Sequence, residues 1–157
     1  KAFLSELEVR NLTIAKGTLL PEEREIINDH IVITIEMLEK LPYPKNLKNV
    51  PEFAGGHHET LDGKGYPKGL TGDQMSVQAK MMAIADIYEA LTASDRPYKD
   101  GKKLSQAMRI LGFMKNEYHI DEELFEIFVK EGVYKKYAEK FLPESQIDEV
   151  DEVAVLG

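Results

Sequence analysis

Apolar residues recur at helical intervals along most of the chain, and the strict alternation of strands is weak throughout. The strongest pattern is "SVQAKMMAIADIYEALTA", which predicts a helix from about Ser76 to Ala93. Its apolar positions include Ala79, Met81, Met82, Ala83, Ile84, Ala85, Ile87, Tyr88, Ala90 and Leu91, which fall on nearly every side, so the helix is expected to be central and buried. Upstream, "AKGTLLPEER" reads as a loop into a helix. Pro21 suits the first helical turn, Glu22 and Glu23 suit its positive end, and the "PYP" after Leu41 stops it. A helix from Pro51 is expected to carry "EFAGGHHETL", where Gly55 and Gly56, poor helix formers, point to close packing. Phe3, Leu4, Leu7, Val9, Leu12 and Ile14 form a weakly periodic segment that reads as the end of an earlier helix. Residues 62–72, rich in glycine, read as an irregular loop. Two further helices are expected over about 104–117 and 121–140, followed by an acidic tail, 142–157, whose order the pattern leaves open. The fold class is all-α, a helical bundle, with 1–157 as a single domain.

Composition narrows the function. The length of 157 residues, with 43% hydrophobic and 31% charged, is that of an ordinary globular domain rather than a disordered chain. No apolar run reaches the length of a membrane span, and no secretory pattern opens the chain. With 28 acidic against 20 basic residues the net charge is −8, which argues against general nucleic-acid binding. A small anionic ligand stays compatible where cations neutralise it. Cysteine is absent, so any metal site is built without thiolates.

Four residues then stand out as metal-ligating candidates. His57 and His58 are adjacent, and on a helix such neighbours point about 100° apart, which suits two ions side by side better than one. His30 shares a helical stripe with Ile26, Ile27, Thr34 and Met37, where a lone histidine is more often a satisfied core residue. Asp86 lies in the apolar central helix, where a carboxylate needs a cation or donors; a buried salt bridge or a helix cap is the competing explanation at even weight. For the histidine pair the competing explanation is simple exposure. Beyond the central helix, "SDRPYK" supplies Arg96, suited to a bidentate phosphate contact, and Lys99. Imidazoles and carboxylates without sulfur suit iron, manganese or zinc, and paired ions flanked by bases suit hydrolysis of a phosphate ester.

"HHETLDGKGYP", "AIADIYEALTASDRPYK" and the His30 helix together resemble the HD-GYP family of metal-dependent phosphohydrolases, in order, over about residues 18–130. The resemblance implies an all-helical HD-type domain that hydrolyses cyclic di-GMP to linear pGpG or GMP at a site of two or three divalent ions, iron or manganese. It implies that His30, His57, His58 and Asp86 are metal ligands and that Arg96, Lys99 and Tyr66 contact substrate. Gly65, Tyr66 and Pro67 would be the family's "GYP", in a loop used for partner contacts such as a diguanylate cyclase domain. The expected setting is cytoplasmic, within a larger sensor or regulator.

The sequence departs from the family at its defining feature. The adjacent His-Asp pair and the lysine that follows it are absent, Asp29-His30 is the reverse order, and an upstream glutamate and histidine of some family sites are missing too. No general acid, base or nucleophile is assigned within the chain. The chain opens at Lys1 rather than methionine, so it is expected to be the C-terminal part of the domain in a longer protein, inactive by itself and with a metal site that can be empty. The alternative is a degenerate HD-GYP module that binds nucleotide or docks a diguanylate cyclase without catalysis.

Overall fold

A computed structural model describes residues 3–14, 20–93 and 101–157. Among them the apolar periodicities fold as eight α-helices and two short 3-10 turns, with an isolated bridge between Asp62 and Thr71 and no longer strand. The helices are α1 (Glu6–Leu12), α2 (Pro21–Glu39), α3 (Val50–Gly55), α4 (Val77–Thr92), α5 (Leu104–Asn116), α6 (Glu122–Lys130), α7 (Val133–Phe141) and α8 (Glu152–Leu156). The bundle is all-α, as the sequence predicts.

Local chemistry sets these boundaries. Ser76 Oγ accepts from the Ala79 amide and starts α4, and Asp121 accepts from the Leu124 amide and starts α6. Each such cap is worth about 1 kcal/mol. The first segment does not end an earlier helix: Ser5 and Glu8 form a reciprocal capping box that starts α1 at Glu6. The expected helix over 121–140 is two helices, because Gly132 takes a left-handed conformation (φ 62°) between α6 and α7.

The core joins α4 to α7 with α8. Ile84, Tyr88, Met108, Leu111, Phe125, Val129 and Tyr134 are buried together, each large apolar side chain contributing roughly 1.5–3 kcal/mol. Tyr88 Oη donates to the Tyr134 carbonyl, and burial pushes its phenol well above the ordinary range. Lys80 and Asp121, both largely buried, pair at 3.0 Å and tie α4 to α6. The N-terminal part is separate in kind: α2 packs on α3, and α3 on α4.

The C-terminal residues, whose order the sequence left open, fold back over α5. Asp148 accepts from the amide and hydroxyl of Ser105, Lys115 Nζ donates to the Leu156 carbonyl at 2.6 Å, and Tyr134 Oη donates to Glu152. Gln146 Nε2 donates to both Thr92 O (3.0 Å) and Lys102 O (2.9 Å).

Candidate metal centre

Gly55 and Gly56 set the position of the two adjacent histidines. A Cβ at Gly55 would lie 2.8 Å from the Ile35 side chain, and one at Gly56 would lie 2.8 Å from Ala79 Cβ. Thus α3 approaches α2 and α4 more closely than a side chain permits, the close packing that the glycine pair implied. The helix stops at Gly55, however, and His57 and His58 lie in the turn beyond it rather than on the expected longer helix. The helical argument that neighbouring imidazoles must diverge therefore does not apply. Their ring centroids are 4.2 Å apart, and ligand atoms of His57, His58 and Asp86 all lie within 4.8 Å of one another. His30, from α2, brings its Nε2 to 3.3 Å from His58 Nε2.

The tautomers follow from the backbone. His57 Nδ1 donates to Ala54 O at 2.5 Å, and His30 Nδ1 donates to Ile27 O. A carbonyl only accepts, so both Nδ1 atoms carry a hydrogen and Nε2 is the atom left to each ring for ligation. Carbonyl partners of this kind commonly fix metal-binding imidazoles. His58 has its ionisation held below the ordinary histidine range, first by burial and then by His57, with Asp86 opposing and His30 adding. That shift favours the uncharged imidazole, the form able to ligate. Two imidazoles and a carboxylate with ligand atoms this close, and a third imidazole beside them, fit a divalent cation of the iron, manganese or zinc type.

Asp86 is not buried, contrary to expectation. Among the described residues α4 is covered by α3, α5 and α6 on one side, whereas Val77, Met81 and Met82 are 56%, 55% and 40% exposed on the other. The Asp86 carboxylate is exposed on that open side, and it forms no ion pair among the described residues. A buried salt bridge is thus no longer the competing explanation. His30 is exposed as well, not a core histidine.

The loop after His58 is more ordered than its glycines imply. Asp62 accepts from Thr60 Oγ1, from the Lys64 amide and from Lys64 Nζ, and these contacts, Lys64 foremost, hold its carboxyl far below the usual range. Glu59, 2% exposed, accepts from the Lys68 amide at 2.7 Å and the Leu70 amide at 2.8 Å. Bonds to a charged acceptor contribute about 1.5–3 kcal/mol each, enough to offset the desolvation of a carboxylate that has no cation partner among the described residues. This role was not read from the sequence. Tyr66 lies flat on His58, centroids 4.8 Å apart and planes 15° from parallel, and burial, with Asp86 nearby, raises its phenol's pKa. Gly65 and Pro67 flank it in the loop. Arg96 and Lys99 lie outside the described residues. Two surface cavities among the described residues, of about 530 and 830 Å³, lie against the C-terminal segment and contain none of these imidazoles.

A family model described as "HD domain" matches residues 7–124. The chain is 36% identical over 125 residues to the 3'3'-cGAMP-specific phosphodiesterase 3 of Vibrio cholerae, covering 78% of this chain and 26% of that protein. It is 34% identical over 119 residues to a cyclic di-GMP phosphodiesterase of Thermotoga maritima, covering 76% and 32% respectively. It is 46% identical over 79 residues to a cyclic di-GMP phosphodiesterase of Pseudomonas aeruginosa, covering 50% and 18%. The chain thus spans a third or less of the length of these relatives.

Proposed function

The chain belongs to the HD-domain family, in its HD-GYP branch, and we propose that it supplies part of the active site of a metal-dependent phosphodiesterase acting on cyclic di-GMP. The observation that carries this reading is that ligand atoms of His57, His58 and Asp86 lie within 4.8 Å of one another, with His30 Nε2 3.3 Å from His58 Nε2 and with His30 and His57 each held by a backbone carbonyl at Nδ1. Family membership implies divalent metal; we assign iron or manganese, two or three ions in the complete site. When bound, such ions activate water and neutralise phosphoryl charge. The chain's own residues do the rest. The imidazoles and Asp86 fix where the reacting phosphate sits. Arg96 and Lys99 hold phosphate oxygens, Arg96 with its planar fork and Lys99 as a point charge. Tyr66 borders the substrate mouth, and the loop of Gly65, Tyr66 and Pro67 offers a surface to a partner such as a diguanylate cyclase domain.

Four donors fill a minority of the positions that two octahedral ions require. The remaining ligands, including the family's His-Asp pair, are assigned to the rest of a longer cytoplasmic sensor or regulator. The uncovered apolar side of α4, with Ile26, Ile33 and Met37 exposed on α2, supports that reading. The second reading is a degenerate module that binds nucleotide or docks a diguanylate cyclase without catalysis.

The test uses the longer natural protein loaded with iron or manganese, with cyclic di-GMP and 3'3'-cGAMP supplied separately and products separated by chromatography. Release of pGpG or GMP, lost together with bound metal in His57→Ala and Asp86→Asn, supports the enzyme. Tight nucleotide binding without turnover supports the module. A protein that binds neither metal nor nucleotide refutes both.

A further inference from the structure

Three imidazoles meet at this centre, and two are oriented alike. His30 and His57 each point Nδ1 at the carbonyl three residues earlier. His58 has no such partner among the described residues; its one polar ring contact is to His30. Its ring rests instead on the face of Tyr66, planes 15° from parallel, and meets His30 edge-on at 83°.

The Tyr66 backbone is held from both sides. Its amide donates to the carbonyl of His58 itself at 3.2 Å, so the stacked residues are also tied through the backbone. Next to it, a Cβ at Gly65 would fall 2.4 Å from Glu59 Cα and from Thr60 N, so the loop lies directly on the Glu59 backbone. On the far side of Tyr66, the Glu59 carboxylate takes the amides of Lys68 and Leu70. Residues 65 and 68–70, on both sides of the tyrosine, are therefore fixed to the residue that follows His58.

We propose that Tyr66 and Glu59 are positioning residues for His58: the stacked tyrosine sets the imidazole plane where a carbonyl does so for His30 and His57, and the buried carboxylate anchors the loop that presents the tyrosine. This rests on the metal-site reading above. It gives the "GYP" tyrosine a role in the metal centre separate from contact with substrate or partner. It also explains why a carboxylate is buried beside a metal cluster while turned away from it. A glutamine at 59 would keep the shape but set its amide hydrogens against one of the two loop N–H groups, loosening the anchor.

The test measures metal affinity by chelator competition and the visible spectrum of the cobalt-substituted longer protein, which reports ligand geometry without turnover. Tyr66→Ala is expected to weaken metal binding about 10–100-fold, the range typical of groups that orient a ligand, and to shift the spectrum. Tyr66→Phe, which keeps the ring, should restore both. Glu59→Gln should move both in the direction of Tyr66→Ala. In a His58→Ala background, Tyr66→Ala should have no further effect, because the tyrosine acts through that ligand. If Tyr66→Ala keeps parental affinity and spectrum while His58→Ala loses metal, the inference is wrong and the metal site stands. If His58→Ala itself leaves metal binding unchanged, the metal-site reading fails first. Should Glu59→Gln unfold, a circular dichroism melt identifies it and the Tyr66 pair decides.

Discussion

Replacing Gly56 by alanine perturbs the metal centre without touching a donor. The backbone there is right-handed (φ −94°, ψ −4°), so alanine meets no torsional strain. By unfolded-state entropy alone, the substitution would stabilise the protein by about 0.4–1 kcal/mol. Sterics oppose this. The new methyl would lie 2.8 Å from Ala79 Cβ, against an ordinary carbon contact of roughly 3.5–4.0 Å, so α3 and α4 must separate by about 1 Å or distort locally. Overpacking of this kind costs about 1–3 kcal/mol, which exceeds the entropic gain, and a net destabilisation of about 1–2 kcal/mol is expected. The same shift carries His57 and His58 away from Asp86, beyond the roughly 0.5 Å that a preorganised site tolerates, so metal affinity should fall with stability. Ala79→Gly in the same chain removes the facing methyl. The double variant should recover metal binding while remaining about 1 kcal/mol less stable for the glycine placed within α4. Urea unfolding of the metal-free protein and chelator competition of the loaded longer protein measure the two effects. A Gly56→Ala protein as stable as its parent, with undiminished metal affinity, would show that the α3–α4 approach does not set the histidines.

In the complete protein, Arg96→Ala should weaken cyclic di-GMP binding by about 1.5–3 kcal/mol and Lys99→Ala by less, with bound metal unchanged in both; calorimetry on a slowly turning-over form decides, and unaltered affinity in Arg96→Ala removes the phosphate role. The 157-residue chain by itself should show little hydrolysis of cyclic di-GMP even with iron or manganese, and robust turnover would overturn the count of ligands. Asp148 gives a pH test: burial raises its carboxyl, but the Ser105 amide and hydroxyl, with Lys103, outweigh it, so the folded value lies below the ordinary 3.8. Its stabilising contribution is complete above that ordinary value and is lost as pH falls through the lower folded one. Asp148→Asn should therefore be less stable than its parent at pH 7, with urea midpoints converging in acid; a constant gap would contradict the linkage.

Much of this arrangement was legible in the chain. Ser76 and the Ala/Met run marked α4 to within a residue at each end, and the glycine pair announced the close approach behind the histidines. The errors have specific physical causes. An apolar pattern reports what a helix can bury, not what is there to cover it, so the open side of α4 and the exposure of Asp86 could not be read from periodicity. The helix through His57 and His58 was overextended because helical spacing continues past Gly55, whereas the end is set by contacts with Ile35 and Ala79, distant in sequence. Gly132 was a visible breaker passed over within a strong period. The anchoring by Glu59 needed three dimensions, because its partners are amides nine and eleven residues away, and amides carry no sequence signature.

The fold-back of the last sixteen residues bears on how such a domain could be transplanted. The family match ends at residue 124, and a graft cut there would carry the ammonium of Lys115, 9% exposed, without the Leu156 carbonyl that accepts from it. It would also lose Gln146, whose one amide group joins Thr92 to Lys102 across the segment between them. That segment holds Arg96 and Lys99. A chimera drawn at the family boundary would thus break α6 in its first turn and strip Phe125, Val129 and Tyr134 from the core that α4 packs on, so any loss of binding in it would report lost folding rather than the chemistry of the site.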